Sequence, residues 1–160
     1  MMKKLLLSII VALSGVCAFA QQGQMAAGVN ISYTPCLESG MSINNFGVSA
    51  KFQYSFSKVV RGELLTGFDF KNKEVALFHA SENFHFIIRP TEKLKVYPIV
   101  GFGYALIIIG SDNDSNYMIN GGLGAEYDIT NNLSAGIEVK YQYIEEFSRL
   151  PISLGVTYKF

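Results

Sequence analysis

Hydrophobic and polar positions alternate with a period of two along most of this chain. In the stretch FGVSAKFQYSF, residues 46–56, every second side chain is apolar and every intervening one is small or polar. This period predicts a β-strand with two unlike faces. The apolar face lies inside a soluble sheet. On a transmembrane barrel it lies outside, and the polar face lines the interior.

The same alternation recurs along the chain and predicts eight strands in all, with turn-forming residues in between. The predicted strands cover residues 25–34, 45–57, 60–71, 80–90, 94–109, 117–128, 132–143 and 151–160. The fifth strand is the least regular, because its segment ALIII is apolar on both faces. Connections after the second, fourth and sixth strands are short, and those after the first, third and seventh are longer. The connection after the third strand is predicted to be the longest, and the segment GSDNDSN after the fifth is the most polar. Short turns at one end and longer loops at the other are typical of an outer-membrane barrel.

Strand length and aromatic placement favour an apolar outer surface. Several predicted strands run for about 10 to 13 residues, whereas a tilted strand needs roughly 9–11 to cross a bilayer and globular strands average about five or six. Tyr and Phe side chains cluster near the strand ends, where amphipathic rings suit the membrane–water boundary. An even number of strands that closes on itself leaves no sheet edge. The sequence therefore predicts an all-β protein, an eight-stranded antiparallel up-and-down transmembrane β-barrel.

The polar faces of these strands consist mostly of Gly, Ser, Asn and Thr, with charges of both signs. Small residues suit the inside of a narrow barrel, and opposite charges there can pair, since an unpaired one costs several kcal/mol. We expect a lumen charge network of Lys51, Arg61, Glu63, Asp69, Arg89, Lys95, Glu126, Glu138 and Lys140. An ion path along these charges is the alternative, but eight strands leave little room beyond the side chains.

The first 20 residues predict a secretory signal peptide. Lys3 and Lys4 precede an apolar run, which ends in the small-x-small triplet Ala18-Phe19-Ala20. The predicted organisation is residues 1–20 as signal peptide and 21–160 as one barrel domain. An N-terminal membrane anchor is the weaker alternative, because the run is short for a span. A lipoprotein cysteine at Cys17 is disfavoured by the bulk of Val16 before it.

Charge and cysteine content limit the classes of function and of covalent cross-link that the chain can have. Removing Lys3 and Lys4 leaves 11 basic against 13 acidic residues, a net charge near −2. This balance gives no electrostatic basis for nucleic-acid binding. Cys36 is then the only thiol, so no intrachain disulfide is expected. Charged residues are 16% of the chain, below the roughly 25% of ordinary soluble domains.

The C-terminal segment SLGVTYKF ends on Phe160, with Tyr158 and Val156 two and four positions earlier and Gly155 before them. It resembles the signal by which the barrel assembly machinery recognises outer-membrane proteins. Over essentially the whole mature chain, and most clearly from Lys93 onward, the sequence resembles the porin-like outer-membrane β-barrel domain family of Gram-negative bacteria, small barrels similar to the outer-membrane protein A and X type. The resemblance implies location in the outer membrane and contact with membrane lipid and lipopolysaccharide. It also implies a role in envelope integrity, adhesion or surface contact through loops.

Candidate catalytic and metal motifs are weak. DNDSN places Asp112, Asp114 and Asn116 at the spacing that opens a calcium loop, but the required Gly and the twelfth-position Glu are missing. His79, expected in an outer loop, and His85 have no third ligand nearby in sequence.

The spacing of the loop serines Ser111 and Ser148 indicates no triad with a histidine. We therefore expect a structural or interaction protein without enzymatic activity, cofactor or metal. The alternatives are a narrow channel, a lipid-A-modifying enzyme and a soluble periplasmic ligand-binding barrel.

Overall fold

The computed structural model describes residues 23–35, 44–72, 75–109, 112–145 and 147–160. The predicted signal peptide, Cys36 and Ser111 lie outside these residues. The strands are β1 (Met25–Thr34), β2 (Asn45–Ser55), β3 (Val60–Asn72), β4 (Val75–Phe86), β5 (Leu94–Ile109), β6 (Asp112–Asp128), β7 (Leu133–Ile144), β8 (Phe147–Arg149) and β9 (Ile152–Lys159). Within the described ranges, no helix is long and apolar enough to cross a membrane.

The strands form one closed antiparallel barrel. Each strand from β1 to β7 pairs with the next one, and β9 pairs with both β7 and β1. The short strand β8 and β9 are two parts of one barrel strand, because Gln142 faces Arg149 and Val139 faces Ile152 in the same register. Pro151, which lacks an N–H, interrupts it, although its carbonyl still accepts from the Lys140 N–H at 3.0 Å. The predicted eight-stranded barrel is confirmed.

The predicted orientation of the two faces is also confirmed. Side chains such as Ile137 and Val156 are 45% and 46% exposed on the outer surface. The neighbouring Glu138 and Lys140 are 3% exposed and point into the lumen. This arrangement, apolar outside and polar inside, is that of a barrel whose solvent is lipid.

Two strands begin earlier than the sequence predicts. β4 starts at Val75 instead of residue 80, and β6 starts at Asp112 instead of residue 117. The predicted long connection after β3 is therefore wrong: only two residues separate Asn72 from Val75. Cross-strand pairing sets both of these earlier strand starts. In β4, Phe78 faces Phe68 of β3. In β6, the polar segment before Tyr117 pairs with the apolar ALIII segment of β5.

The two ends of the barrel differ. At one end, which we call the turn end, lie Met25, Phe160 and the connections β2–β3, β4–β5 and β6–β7. Hydroxyl groups organise these turns, since the N–H groups of Val60 and Leu133 donate to Ser57 Oγ (3.1 Å) and Thr130 Oγ1 (3.0 Å). The opposite end, which we call the loop end, carries the β1–β2, β3–β4, β5–β6 and β7–β8 connections.

Strand β6 marks the limits of the apolar band. Its outward side chains run from Tyr127 to Tyr117, and Tyr117 lies against Tyr104 of β5 with ring centroids 4.9 Å apart. Beyond Tyr117 the outward residues Asn113 and Ser115 are polar and exposed. A strand of 17 residues is longer than the roughly 9–11 needed to span a bilayer. The β5–β6 hairpin therefore extends past the apolar band at the loop end.

Candidate functional site

Charged side chains fill the turn-end half of the lumen. We call Arg61, Lys95, Glu126, Asp128 and Lys159 the turn-end cluster. Arg61 Nη1 and Lys95 Nζ each lie 2.8 Å from a Glu126 oxygen. Lys95 Nζ also lies 2.7 Å from Asp128 Oδ1, and Lys159 pairs with the same carboxylate. The cluster joins β3, β5, β6 and β9 across the barrel.

A second group, which we call the central cluster, lies deeper and comprises Lys51, Glu63, His85, Glu138 and Lys140. Lys140 Nζ lies 2.8 Å from Glu138 Oε2 and 3.8 Å from Glu63 Oε1. Lys51 Nζ lies 3.7 Å from Glu138 Oε1. Each member is at most 6% exposed. Such desolvated charges are tolerated only when they are paired and hydrogen-bonded.

Neutral side chains also donate hydrogen bonds to both central carboxylates. Gln53 Nε2 and Asn83 Nδ2 donate to Glu63 at 2.8 and 3.1 Å. Tyr97 Oη donates to Glu138 Oε1 at 3.1 Å. Glu63 and Glu138 therefore each accept bonds from neutral groups as well as facing cations.

Tyr97 connects the two clusters. Its ring stacks on His85 with centroids 4.7 Å apart, and the Arg61 guanidinium lies 4.8 Å from its centroid. Arg61 Nε donates to His85 Nδ1 at 3.2 Å. Gly124 of β6 makes room for the ring, because a Cβ there would lie 2.3 Å from a Tyr97 ring carbon.

The loop-end half of the lumen is closed in two ways. Arg149 forms an ion pair with Asp69. The cavity lined by these two residues and His79 measures about 10 Å³, about the smallest volume that holds one water. A buried apolar group, which we call the loop-end apolar cluster, consists of Leu77, Ala105, Ile107, Met118 and Ile144. It explains why ALIII is apolar on both faces: Ala105 and Ile107 point inward.

The structure buries all of the predicted lumen charges except one. Lys51, Arg61, Glu63, Asp69, Lys95, Glu126, Glu138 and Lys140 are each at most 6% exposed. Arg89 is the exception, and its assignment to the network needs correction. It follows β4 at the turn end and is exposed, because the inward-facing pattern of β4 ends before it.

Sequence reasoning missed three charged members of the ion-pair networks. Asp128 and Lys159 continue the inward positions of β6 and β9 to the turn end, and their period-two placement could have identified them. The sequence predicts Arg149 to lie in a connection, because nothing in it indicates that β8 continues the pairing beyond Pro151.

The residues of the predicted assembly signal lie on two faces of β9. Val156, Tyr158 and Phe160 are exposed on the outer surface. Gly155 faces the lumen, where a Cβ would lie 1.9 Å from Asn30 Oδ1. The structure therefore places Val156 and Tyr158 on the outer surface at the β1–β9 pairing, and Phe160, which directly follows β9, donates its N–H to the Met25 carbonyl at 3.0 Å.

Potential metal ligands are already compensated by cations. Glu63, His85 and Glu138 place one ligand atom each within 4.8 Å of one another. Lys140 Nζ approaches both carboxylates, and Arg61 donates to His85. The Lys140 ammonium thus already supplies positive charge to the two carboxylates of this group. The DNDSN segment lies in β6 and not in a turn, with Asp114 exposed and accepting from Asn116 Nδ2 at 3.2 Å.

The residues weighed for catalysis do not assemble. His79 lies inside β4 and is 7% exposed, so its predicted placement in a loop is wrong. Ser148 lies on the outer face, where it accepts from Tyr141 Oη at 2.7 Å. The described histidine and serine candidates therefore lie on opposite faces of the barrel wall.

Glu82 is a carboxylate on the lipid-facing surface that sequence reasoning overlooked. It lies on β4 between Ala80 and Phe84, and its cross-strand neighbours are Leu64 and Phe102. It is half-buried, and it has no ion-pair or hydrogen-bond partner among the described residues. Charged side chains on the lipid face of a barrel destabilise it, most of all near mid-membrane.

The closed barrel, its apolar girdle and its ion-paired lumen define an integral transmembrane β-barrel. Residues 5–160 match the outer membrane protein beta-barrel domain family, and the chain belongs to it. It is accordingly an outer-membrane protein. Comparison with curated protein sequences finds no match.

Solved structures of small outer-membrane barrels share the fold. Ail, the attachment invasion locus protein of Yersinia pestis, is 16% identical with a TM-score of 0.60, covering 86% of this chain and 97% of Ail. Neisserial surface protein A is 16% identical with a TM-score of 0.66 over 86% and 97% of the two chains. The N-terminal barrel domain of Pseudomonas aeruginosa OprF is 24% identical with a TM-score of 0.63 over 87% and 100%. These similarities establish the fold.

Proposed function

We propose that the protein is a structural and surface-contact component of the outer membrane, and neither a channel nor an enzyme. The filled lumen carries this proposal. The turn-end and central clusters are bonded across the barrel, and the loop-end apolar cluster lies beyond them. An eight-stranded barrel has room for its own side chains and little else.

The loop end supports a role in surface contact. The β5–β6 hairpin extends beyond the aromatic pair Tyr104 and Tyr117, and its outward residues there include the exposed Asn113 and Ser115. Ail, which shares the fold, is named for attachment and invasion, and its structure has also been solved with the heparin analogue sucrose octasulfate. Adhesion or envelope integrity through the loops is the corresponding role here.

The route to the membrane forms part of the proposal. Residues 1–20 are removed as a signal peptide, and the barrel assembly machinery recognises Gly155, Val156, Tyr158 and Phe160. Both termini of the mature chain are then periplasmic, and the loop end faces the cell exterior. The girdle contacts phospholipid and lipopolysaccharide. The exposed, lipid-facing positions of Val156, Tyr158 and Phe160 support this.

A topology experiment tests the outward orientation. An epitope inserted between residues 110 and 111 is expected to bind antibody on intact cells. The matched control is the same epitope between Thr130 and Asn131 in the exposed β6–β7 turn, which is expected to react only after the outer membrane is permeabilised. The reverse result contradicts the orientation.

A narrow channel is the second candidate, favoured by a cavity of about 270 Å³ that opens into the lumen at the turn end. Planar-bilayer recording of the refolded barrel separates the two functions. A filled barrel gives no steady conductance steps. Sizeable, steady steps would establish the channel and overturn the proposal.

A further inference from the structure

The turn-end cavity has an unusual lining. Its basic residues are Lys58, Arg61, Arg89, Lys95 and Lys159. No carboxylate is among the described residues that line it, and Ala26, Phe56 and Ile87 form an apolar part of the wall. We call this cavity the turn-end vestibule. It lies directly below the turn-end cluster, which shares Arg61, Lys95 and Lys159 with it.

The local charges do not balance. The turn-end cluster holds three cations against the two carboxylates Glu126 and Asp128. Lys58 and Arg89 at the mouth add two further positive charges, and neither has an ion-pair partner among the described residues. The vestibule therefore carries an excess of three positive charges in a half-enclosed space. Low-dielectric walls concentrate the potential of such an excess on any bound anion.

We propose that the turn-end vestibule binds a phosphate oxyanion. Several converging cations favour a multiply charged anion over a monocarboxylate. Arginine in particular presents a fork of N–H donors that matches phosphate oxygens, and the Arg89 side chain is exposed at the mouth. The apolar wall suits the carbon portion of a phosphorylated molecule. The cavity of about 270 Å³ holds the volume of about nine liquid waters, at roughly 30 Å³ each, which is ample for such a group.

The phosphate has two possible sources. One is the headgroup of a phospholipid in the leaflet next to the turn end, since the mouth residues Lys58 and Arg89 lie in exposed connections at that level. The other is a soluble phosphorylated molecule that enters the vestibule. The shared chemistry is the oxyanion, and the experiment distinguishes the two sources.

Binding is measured by calorimetry on the folded mature barrel in an uncharged sugar-headgroup detergent, which contributes no phosphate. One titration uses inorganic pyrophosphate, and a second uses monomeric short-chain phosphatidylglycerol. Binding of pyrophosphate alone assigns a soluble source, and binding of the lipid alone assigns a headgroup. NMR shift changes are expected at Ser57, Lys58 and Arg89 but not at the loop-end apolar cluster. Absence of binding of both probes at about 10 mM overturns the proposal.

Variants at exposed positions keep the fold and change one charge each. Arg89→Gln and Lys58→Gln are each expected to weaken binding about fivefold to tenfold, because each removes a charge-assisted contact. Lys93→Gln is the matched control, since Lys93 is exposed in the same β4–β5 connection but does not line the vestibule. Its effect is expected to stay below about twofold. An equal loss in Lys93→Gln would show that general surface charge causes the binding, and would refute the site.

Discussion

At the scale of single residues, stability depends on ion pairing among the buried charges of the lumen. Lys140 and Lys51 both depend on Glu138, and all three are at most 6% exposed. Removing one partner of such a group leaves a buried charge without compensation, which costs more than the pair itself contributes. The lumen therefore tolerates loss of charge worse than the surface does.

Glu138→Gln tests this directly. The substitution keeps the shape but removes the charge that Lys140 and Lys51 face. We expect the free energy of unfolding to fall by about 3 kcal/mol, measured by denaturant titration in detergent with heat-modifiable gel mobility as the second readout. Glu145→Gln, at an exposed position, is expected to change it by less than about 0.5 kcal/mol. Equal stability of the two variants would contradict a paired lumen.

Removing the charge of Glu82 is expected to have the opposite effect on stability, because its carboxylate faces lipid. Replacing it with Leu joins Leu64 and Phe102 into a continuous apolar surface. We expect Glu82→Leu to raise the free energy of unfolding in lipid vesicles by about 1–2 kcal/mol. Glu92→Leu in the exposed β4–β5 connection is the control, with a change below about 0.5 kcal/mol. A loss of stability on Glu82→Leu would instead reveal a partner for the carboxylate within the membrane.

At the scale of elements, the contact of β5 with β6 depends on a glycine. Gly124 of β6 has no side chain, and this leaves room for the ring of Tyr97 on β5. Tyr97 is 2% exposed and is held between His85, Arg61 and Glu138, so its ring cannot move aside. It lies over Gly124, where even a methyl group would overlap the ring. The glycine in this strand thus marks a close approach of an aromatic ring.

Gly124→Ala is expected to lower the free energy of unfolding by about 1–3 kcal/mol, as overpacking of a filled interior does. Gly121→Ala is a matched control three positions earlier on β6, because a Cβ there meets nothing within 4 Å. It is expected to be neutral or slightly stabilising. Both variants are compared by the same denaturant titration. Similar losses for the two would show that strand propensity, and not the Tyr97 contact, causes the effect.

Strand boundaries show where sequence reasoning reaches its limit. The central part of each strand follows from alternation alone, as in residues 46–56, because one face contacts lipid and the other packs in the lumen. The start of β6 does not follow, since Asp112–Asn116 has turn-like composition and becomes a strand through pairing with Ala105–Ile109. Arg149 was missed for the same reason: its strand β8 is defined by pairing with β7.

At the scale of the whole molecule, the barrel class could be predicted from the sequence, whereas the partners inside the lumen could not. Alternation places Glu63 and Lys140 on inward faces, but their approach depends on barrel closure and strand stagger. For Arg89 the alternation is misleading. Its position continues the inward-facing series of β4, but Arg89 lies beyond the last inward contact of that strand and is exposed. The division of the barrel wall into an apolar outer face and a polar inner face, which we call its sidedness, is the common basis of the fold, the filled lumen and the proposed surface role.

The most direct test of this sidedness uses the native side chains. In methyl-labelled protein reconstituted in bicelles, intermolecular NOEs to lipid acyl chains are expected for Val29, Ile137 and Val156, which are 58%, 45% and 46% exposed. None are expected for Ile99, Met118 and Ile144, which are at most 1% exposed and face the lumen. Acyl-chain NOEs at the second set, with none at the first, would contradict the account.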